Sequence, residues 1–474
     1  MLNKKKIHKT NFCIKKIKKE NKKNFSISLW IVSVFFLFLV FIWISKQLSN
    51  MEFDFDNIIN ITGLNFNLEE LQKESIIKST DWKTNILIIW RWWEENDAPD
   101  LTDSILIWSI NYKKNIISLF SIPRDLYVNY PTWSSWKINE TYFRGIKKHW
   151  RNHQAIEPLK EIIKKITQED IHYYVDLDFD WFKKIIDTVW WIEIDVPNRI
   201  VDYDYPGPNH SFQTFIINKW LQTLNWDVAL KYARSRHSTS DFDRSLRQQL
   251  IIKWLQNKII SLWFLTNPWK ITSLYNIIKE NILTDLDLKQ IISLALFIKD
   301  TPKDNIVSSN LNDSCFYWSD VCEKWWFLYV PLRSDFSWMS VLLQNWATKY
   351  NLNNYDELYM YMNFVFNYPE MFLENPKIAV YNSTKIPWLA LKLVNNFKRY
   401  GFNVSIYNIW NTKWEIHEKT KIITRSQEKT ITLEVLEMFI FGWIEYEEEF
   451  PKYSTREDID IEIIIWNDYK YLNL

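Results

Sequence analysis

Apolar residues fall into short dense runs along the middle of the chain, with stretches at helical spacing between them. The runs at 85–90 (NILIIW), 104–110 (SILIWSI) and 116–122 (IISLFSI) are rich in β-branched side chains and bounded by polar residues, the pattern of buried strands. Only NYKKN separates the second run from the third, which predicts a hairpin. Residues 155–167 read as a helix, 171–177 (IHYYVDL) as a strand, 178–189 as a helix and 192–197 (IEIDVP) as a strand. Residues 226–235, starting beside Asn225, and residues 241–262 read as further helices. This alternation predicts an α/β domain with a mixed sheet. An aromatic, helix-leaning connector follows at 335–374. Strands at 377–382, 403–408 and 459–466 and a helix at 387–400 then predict a small C-terminal α/β domain.

The first residues follow another pattern. Residues 1–24 hold ten lysines against one acid, Glu20, and Phe25 to Ile44 then run for 20 residues without a charge. That length spans a bilayer core, and no small-residue cleavage site follows it. The lysine excess predicts a cytoplasmic N-terminus, one transmembrane helix at 25–45 and a bulk outside the membrane. The expected order is a basic tail (1–24), the membrane helix (25–45), a polar connector (46–82), the main domain (83–334), the linker (335–374) and the C-terminal domain (375–474). Cys13 is then cytoplasmic. Cys315 and Cys322 lie outside, where they can pair, and no nearby His or Cys suggests a metal site there.

Composition adds two points. A formal net charge of +1 leaves no global footprint for nucleic acid. The chain of 474 residues holds 28 Trp but only 5 Gly. Average usage predicts roughly 33 glycines in such a chain, about the number that tryptophan and glycine reach together. Many tryptophans also sit where glycine is expected: Trp190–Trp191 before a strand, Trp226 at a helix start, Trp388 beside a proline, Trp410 and Trp466 in turns. We therefore read most of them as glycines encoded by UGA.

Four clusters can carry chemistry. The acidic loop EENDAPDLTD (94–103) ends on Asp103 at the base of a strand; such carboxylates can hold Mg²⁺ through one or two oxygens, or simply be solvated. SIPRD (121–125) ends a strand in Arg124 and Asp125; the arginine can fork onto a phosphate or sit in a surface ion pair. WKINETYFRG (136–145) offers Lys137 and Asn139 as donors to an anion. The strongest cluster is ALKYARSRHSTSDFDRSLRQQ (229–249). Arg234 and Arg236 end a helix, Ser240 or Asp241 can cap the next, and Arg244, Arg247 and Gln248 share one face of it. Four arginines so close repel one another unless an anion binds, and Asp241 and Asp243 cannot neutralise them all; a polyphosphate fits. No Walker loop and no Ser–His–Asp spacing occurs, and the run after the first strand fails the dinucleotide fingerprint because Glu95 holds its last position.

With Trp read as Gly, the pieces GRGGEENDAPDLTDSILIGSIN, LFSIPRDLYV, GKINETYFRG, FDGFKKIIDTVGGIEIDVP and LNGDVALKYARSRHSTSDFDRSLRQQ resemble, in order over 85–262, the LytR–CpsA–Psr family of cell-wall glycopolymer ligases. VYNSTKIPGLALKLVNNFKRYGF and the ending IGNDY resemble the small C-terminal domain often joined to it. The resemblance implies a three-layer α/β/α domain with a mixed central sheet on a single membrane anchor. It implies transfer of a glycan phosphate from a polyprenyl-pyrophosphate carrier to a hydroxyl of peptidoglycan or another wall acceptor, with Mg²⁺. Matched residue by residue, Asp103 is the metal-binding aspartate and Arg124 the strand-end pyrophosphate arginine. Arg234, Arg236, Arg244 and Gln248 are the pyrophosphate clamp, with Arg247 in support and Lys137 a further candidate. Two positions depart from the pattern. A second metal aspartate is replaced by Trp92, for which Asp97, Asp100 or Glu94 can substitute, and Leu101 stands where an arginine is common. Asp125 or Asp103 can serve as base toward the acceptor. The altered loop leaves two alternatives open: a pyrophosphatase or lipid-pyrophosphate-binding protein, and a non-catalytic envelope scaffold or regulator.

Overall fold

The computed structural model describes residues 77–91, 100–130, 134–150, 152–178, 186, 191–207, 211–235, 241–260, 282–313, 326–411, 419–424, 430–440, 443–446 and 459–469. The membrane run 25–45, most of the predicted helix 178–189, the loop 92–99, Arg236, Ser240 and all three cysteines lie outside these residues. Among the described residues no helix is long and apolar enough to cross a membrane.

The first strands are β1 (Lys83–Arg91), β2 (Thr102–Asn111), β3 (Ile116–Ile122), β4 (Tyr127–Asn129) and β5 (Ser135–Lys137). Helices α1 (Glu140–His149) and α2 (Glu157–Thr167) lead to β6 (Tyr173–Asp178). Two ribbons follow, one pairing β7 (Ile192–Val196) with β10 (Trp220–Leu224), the other β8 (Ile200–Pro206) with β9 (Phe212–Ile217). Next come α3 (Trp226–Arg234), α4 (Asp241–Ile260), β11 (Leu283–Thr284), α5 (Leu288–Asp300) and β12 (Ile306–Asn310). The central sheet has the order β11-β6-β1-β2-β3-β12. It is mixed: β1–β2 and β2–β3 are antiparallel, and β1–β6 and β3–β12 are parallel. The predicted hairpin is β2–β3.

Side-chain alternation splits the sheet into two buried faces. Leu87 and Ile89 of β1, with Ile105, Ile107 and Phe120, face α1 and α2. Ile86, Ile88 and Trp90, with Leu106 and Leu119, face α3, α4 and α5. The result is three layers, helices on each side of a mixed sheet. Helix starts follow local chemistry: Asn225 caps α3 by accepting from Val228 N–H at 2.9 Å, and Asp287 and Gln290 form a reciprocal capping box on α5.

The stretch 335–374 carries helices of its own, α6 (Asp356–Asn367) and α7 (Glu370–Glu374). A short ribbon of β13 (Leu328–Tyr329) and β14 (Leu343–Gln344) precedes them. Helix α6 lies on the same sheet face as α1 and α2, through Tyr361, Phe364 and Phe366. Beyond it, β15 (Ile378–Asn382), α8 (Leu389–Arg399), β16 (Val404–Asn411), β17 (Lys421–Thr424), α9 (Ile431–Ile440), β18 (Trp443–Tyr446) and β19 (Ile461–Ile465) build the second sheet, in the order β16-β15-β19-β17-β18.

Backbone conformation bears on the tryptophans. Among the described residues, twelve non-glycine residues have positive φ and six of these are tryptophan: Trp82, Trp150, Trp220, Trp338, Trp346 and Trp388. An L side chain there costs about 1–2 kcal/mol relative to glycine. Asp81 and Trp82 form a two-residue turn with φ of 50° and 62°, closed by paired bonds between Thr80 and Lys83. Two consecutive positive φ values mark the hairpin turn that Asp-Gly and Asn-Gly dominate. All six side chains are exposed. Trp90 differs: it is 5% exposed, in β1 next to the place where its register with β2 shifts.

Candidate functional site

The site forms where β3 ends. Pro123–Arg124–Asp125 make a turn closed by Leu126 N–H on Pro123 O at 3.1 Å. Neighbouring chain holds this turn on both sides. Asn139 N–H donates to Arg124 O (3.2 Å), and Leu342 N–H donates to Asp125 O (2.9 Å). Thr102 binds Asn139 O through both its N–H and its hydroxyl, 3.2 Å each, which sets Asp103 beside the same turn.

Two arginines contact Asp103, and a third, Arg234, feels its charge. Arg124 pairs with its carboxylate. Arg244, 4% exposed on the first turn of α4, donates Nη2 to the Asp103 backbone carbonyl at 2.7 Å. Arg234, the last residue of α3, lies over the Tyr205 ring at 5.6 Å. Burial pulls the Arg234 pKa below its ordinary value, against the opposing pull of Tyr205 and Asp103. Arg124 Nε lies 3.6 Å from Asp125 Oδ2, and Lys137 Nζ donates to Asp125 Oδ1 at 2.8 Å. Arg124, Asp125, Lys137, Arg234, Arg244 and Asp103 are thus brought together.

Arg247 and Gln248 are buried on the next turn of α4. Arg247 donates Nε to Tyr232 O at 2.9 Å and Nη2 to Ser235 O. It meets the negative end of α3, so carbonyls and not only acids offset the arginine charge. The Gln248 Oε1 atom has no hydrogen-bond partner. Gln249 pins α4 to the ends of β3 and β12, through Ser121 Oγ (2.6 Å) and Ser309 O (3.0 Å).

The ends of the acidic loop are held by a buried network absent from the sequence reading. Arg91 Nε lies 2.8 and 3.0 Å from the two oxygens of Asp176 on the neighbouring strand β6, and its Nη1 lies 3.1 Å from Asp100 Oδ1. Tyr142 of α1 donates to Asp176 Oδ2 at 2.8 Å. Burial lowers the Arg91 pKa, but Asp176 more than offsets it, so the guanidinium is held above its ordinary value. Burial, then the Asp176 charge, push the Tyr142 hydroxyl well up, which keeps it a donor. The signal available in the sequence was Asp176 itself, an acid set within an apolar, aromatic strand run.

Among the described residues no group of three or more His, Cys, Asp or Glu is arranged to hold a metal. Asp100 is tied to Arg91, which leaves Asp103 as the carboxylate facing the arginines. This donor set fits a Mg²⁺ ion held by one carboxylate together with substrate phosphate oxygens, and does not fit an all-protein cage.

A family model described as the LytR_cpsA_psr family matches residues 59–330. The chain is 30% identical over 198 residues to the polyisoprenyl-teichoic acid–peptidoglycan teichoic acid transferase TagV of Bacillus subtilis (strain 168), across 41% of this chain and 47% of that protein. It is 27% identical over 213 residues to the cell wall biosynthesis protein LcpA of Corynebacterium glutamicum, across 40% of this chain and 39% of that one. It therefore spans less than half the length of these two relatives. Among solved structures, the crystal structure of B. subtilis TagV aligns at 22% identity and a TM-score of 0.44, over 61% of this chain and 99% of that one. TagT bound to LIIa-WTA aligns at 19% identity and a TM-score of 0.43, over 62% and 96%.

Proposed function

The chain belongs to the LytR_cpsA_psr family, and from that premise we propose that it is a phosphotransferase that moves a glycopolymer from a polyprenyl-pyrophosphate carrier to a hydroxyl of the cell wall, with peptidoglycan the acceptor. The names of its relatives, polyisoprenyl-teichoic acid–peptidoglycan teichoic acid transferases, support that substrate class. The observation that carries the proposal is Asp103 in contact with Arg124 and Arg244 and acted on by the charge of Arg234, three arginines delivered by three separate elements. Fixed guanidiniums gain most when charge develops on a bound pyrophosphate.

The acceptor hydroxyl attacks the glycan-side phosphorus. A new P–O bond forms as the bond to the bridging oxygen breaks, and polyprenyl phosphate leaves with its electron pair. Arg124, Arg234 and Arg244 bind the non-bridging oxygens, Arg236 and Gln248 extend the clamp, and Arg247 supports it by holding the end of α3. Lys137 and Asp125 form a pair at the edge of the site, from which Asp125 takes the hydroxyl proton and Lys137 faces the substrate. Mg²⁺ would be held by Asp103 and supply charge neutralisation on the phosphates; Asp100 contributes only if it leaves Arg91. The run 25–44 anchors the chain in the cell membrane with its bulk outside, and the positive-φ tryptophans stand where the cell places glycine.

The test is full-length protein in detergent micelles with a polyprenyl-pyrophosphate glycan, Mg²⁺ and peptidoglycan fragments. Glycan coupled to the acceptor is the expected product, lost in Arg244→Ala. Phosphate release without coupling would favour a pyrophosphatase, the reading suggested by the capture of Asp100 by Arg91. No turnover and no lipid binding would remove both.

A further inference from the structure

Ser235 follows Arg234 at the end of α3 and is fully buried. Its hydroxyl donates to Asp202 Oδ2 on β8 at 2.7 Å. Its N–H closes the helix on Lys231 O at 2.9 Å, and its carbonyl accepts from Arg247. Asp202 is 1% exposed. A carboxylate buried this deeply is costly unless paired or hydrogen-bonded, and close to an anion site it also works against the ligand. Nothing in the transfer reaction requires it.

The strand that carries Asp202 is irregular. Its register with β9 shifts between Asp202 and Tyr205. In regular pleating Asp202 and Asp204 would share a face and Tyr205 would point away. The irregularity instead buries both Asp202 and Tyr205 and leaves Tyr203 and Asp204 outside. Such irregularities re-aim side chains and are common beside active sites. Here the two inward residues approach one target from two sides: Tyr205 lies under the Arg234 guanidinium, and Asp202 holds the side chain of Ser235, one residue on.

We propose that Asp202, Ser235 and Tyr205 are positioning residues that fix the Arg234 guanidinium at the end of α3, with the irregular β8–β9 ribbon as their carrier. They touch no substrate; they restrict the arginine before the pyrophosphate arrives, so that less ordering is lost on binding. The proposal rests on the reading of Arg234 as a pyrophosphate ligand.

The experiment measures the affinity of full-length protein in detergent micelles for inorganic pyrophosphate by titration calorimetry, alongside the melting temperature of each variant. Ser235→Ala is expected to bind about fivefold more weakly, the range set by loss of one buried hydrogen bond. Asp202→Ala breaks the same contact but also removes a charge that opposes the ligand, so it should weaken binding less, and the double variant should match Asp202→Ala. Tyr205→Leu should weaken binding and Tyr205→Phe, which keeps the ring, should not. A purely structural role would lower the melting temperature and leave the affinity of the folded protein unchanged. Wild-type affinity in Ser235→Ala, with loss in Arg234→Ala, overturns the proposal. Wild-type affinity in Arg234→Ala overturns the reading beneath it. If Asp202→Ala does not fold, Ser235→Ala decides alone, since it removes a single oxygen.

Discussion

At the scale of the residue, the tryptophans give the sharpest prediction. A tryptophan with positive φ and an exposed ring carries the strain of the left-handed region and gains little from burial. Trp150 (84% exposed), Trp338 (79%) and Trp388 (72%) meet both conditions. Trp388→Gly is expected to raise stability by about 1 kcal/mol, with less gain in the variant Trp388→Ala, read by chemical denaturation. Loss of stability on Trp388→Gly would show that the ring contributes more than the backbone costs. Trp90 makes the contrast, because its buried ring fills space between β1 and the helices; Trp90→Gly should destabilise the protein. Of the positive-φ tryptophans only Trp388, beside its proline, stood out in the sequence as a turn position, because that signal is local. Arg124 and Arg244 were legible for the same reason, each standing at the end of a recognisable element. Their common meeting point, Asp103, needed the fold.

At the scale of the element, the least legible feature is the Arg91–Asp176 pair. Both residues stand on strands correctly expected from their apolar runs, but β1 and β6 are separated by eighty residues and more, and only the sheet order makes them neighbours. Both are almost fully buried, so removing Asp176 leaves Asp100 to offset the Arg91 charge, at a cost of up to about 3–5 kcal/mol. Asp176→Asn is expected to destabilise by an amount in that range, and Asp176→Leu combined with Arg91→Met by distinctly less; equal losses in both would deny the pairing its part. A second element-scale effect lies at the start of β6. His172 Nδ1 accepts from Asn85 N–H at 3.0 Å, which requires a neutral ring, and burial lowers its pKa below the usual value against the pull of Asp170 and Glu169. The unfolded chain, with an ordinary pKa of about 6.5, then binds the proton more readily than the fold. The stability contribution is complete above about pH 6.5 and is lost as pH falls through the folded value. Melting temperatures between about pH 7 and 5 should fall more steeply for the wild type than for His172→Gln, which keeps an acceptor but cannot titrate. Parallel slopes would place the acid sensitivity elsewhere.

At the scale of the whole molecule, the question is whether the C-terminal sheet is a tethered module or part of one cooperative body. The segment 335–374 read as a connector because α6, DELYMYMNFVFN, has no single apolar stripe. A helix that is apolar all round is one covered on all sides. Here Tyr361 packs on Phe120 of the central sheet (5.9 Å between rings) and on Phe327 (4.5 Å), and also meets Tyr400 at the end of α8 (6.4 Å). Phe364 meets Tyr400 (5.8 Å) and Phe439 of α9 (5.4 Å). Glu357 of α6 is paired with Arg399 of α8 at 3.2 Å, both nearly buried, with Arg399 over the Phe327 ring. A tethered module would have its own closed core and a polar linker; this contact has neither property. Each large aromatic exposed by separation would forfeit about 1.5–3 kcal/mol, so independent unfolding of the C-terminal sheet is too costly to precede the rest. The full chain in detergent micelles is therefore expected to give one calorimetric transition, with calorimetric and van't Hoff enthalpies in agreement. Removing residues 376–474 should bare Phe364 and Tyr361 and yield a protein that aggregates or binds a hydrophobic dye. Two resolved transitions, or a soluble truncated protein that transfers glycan normally, would make the C-terminal domain a separate body after all.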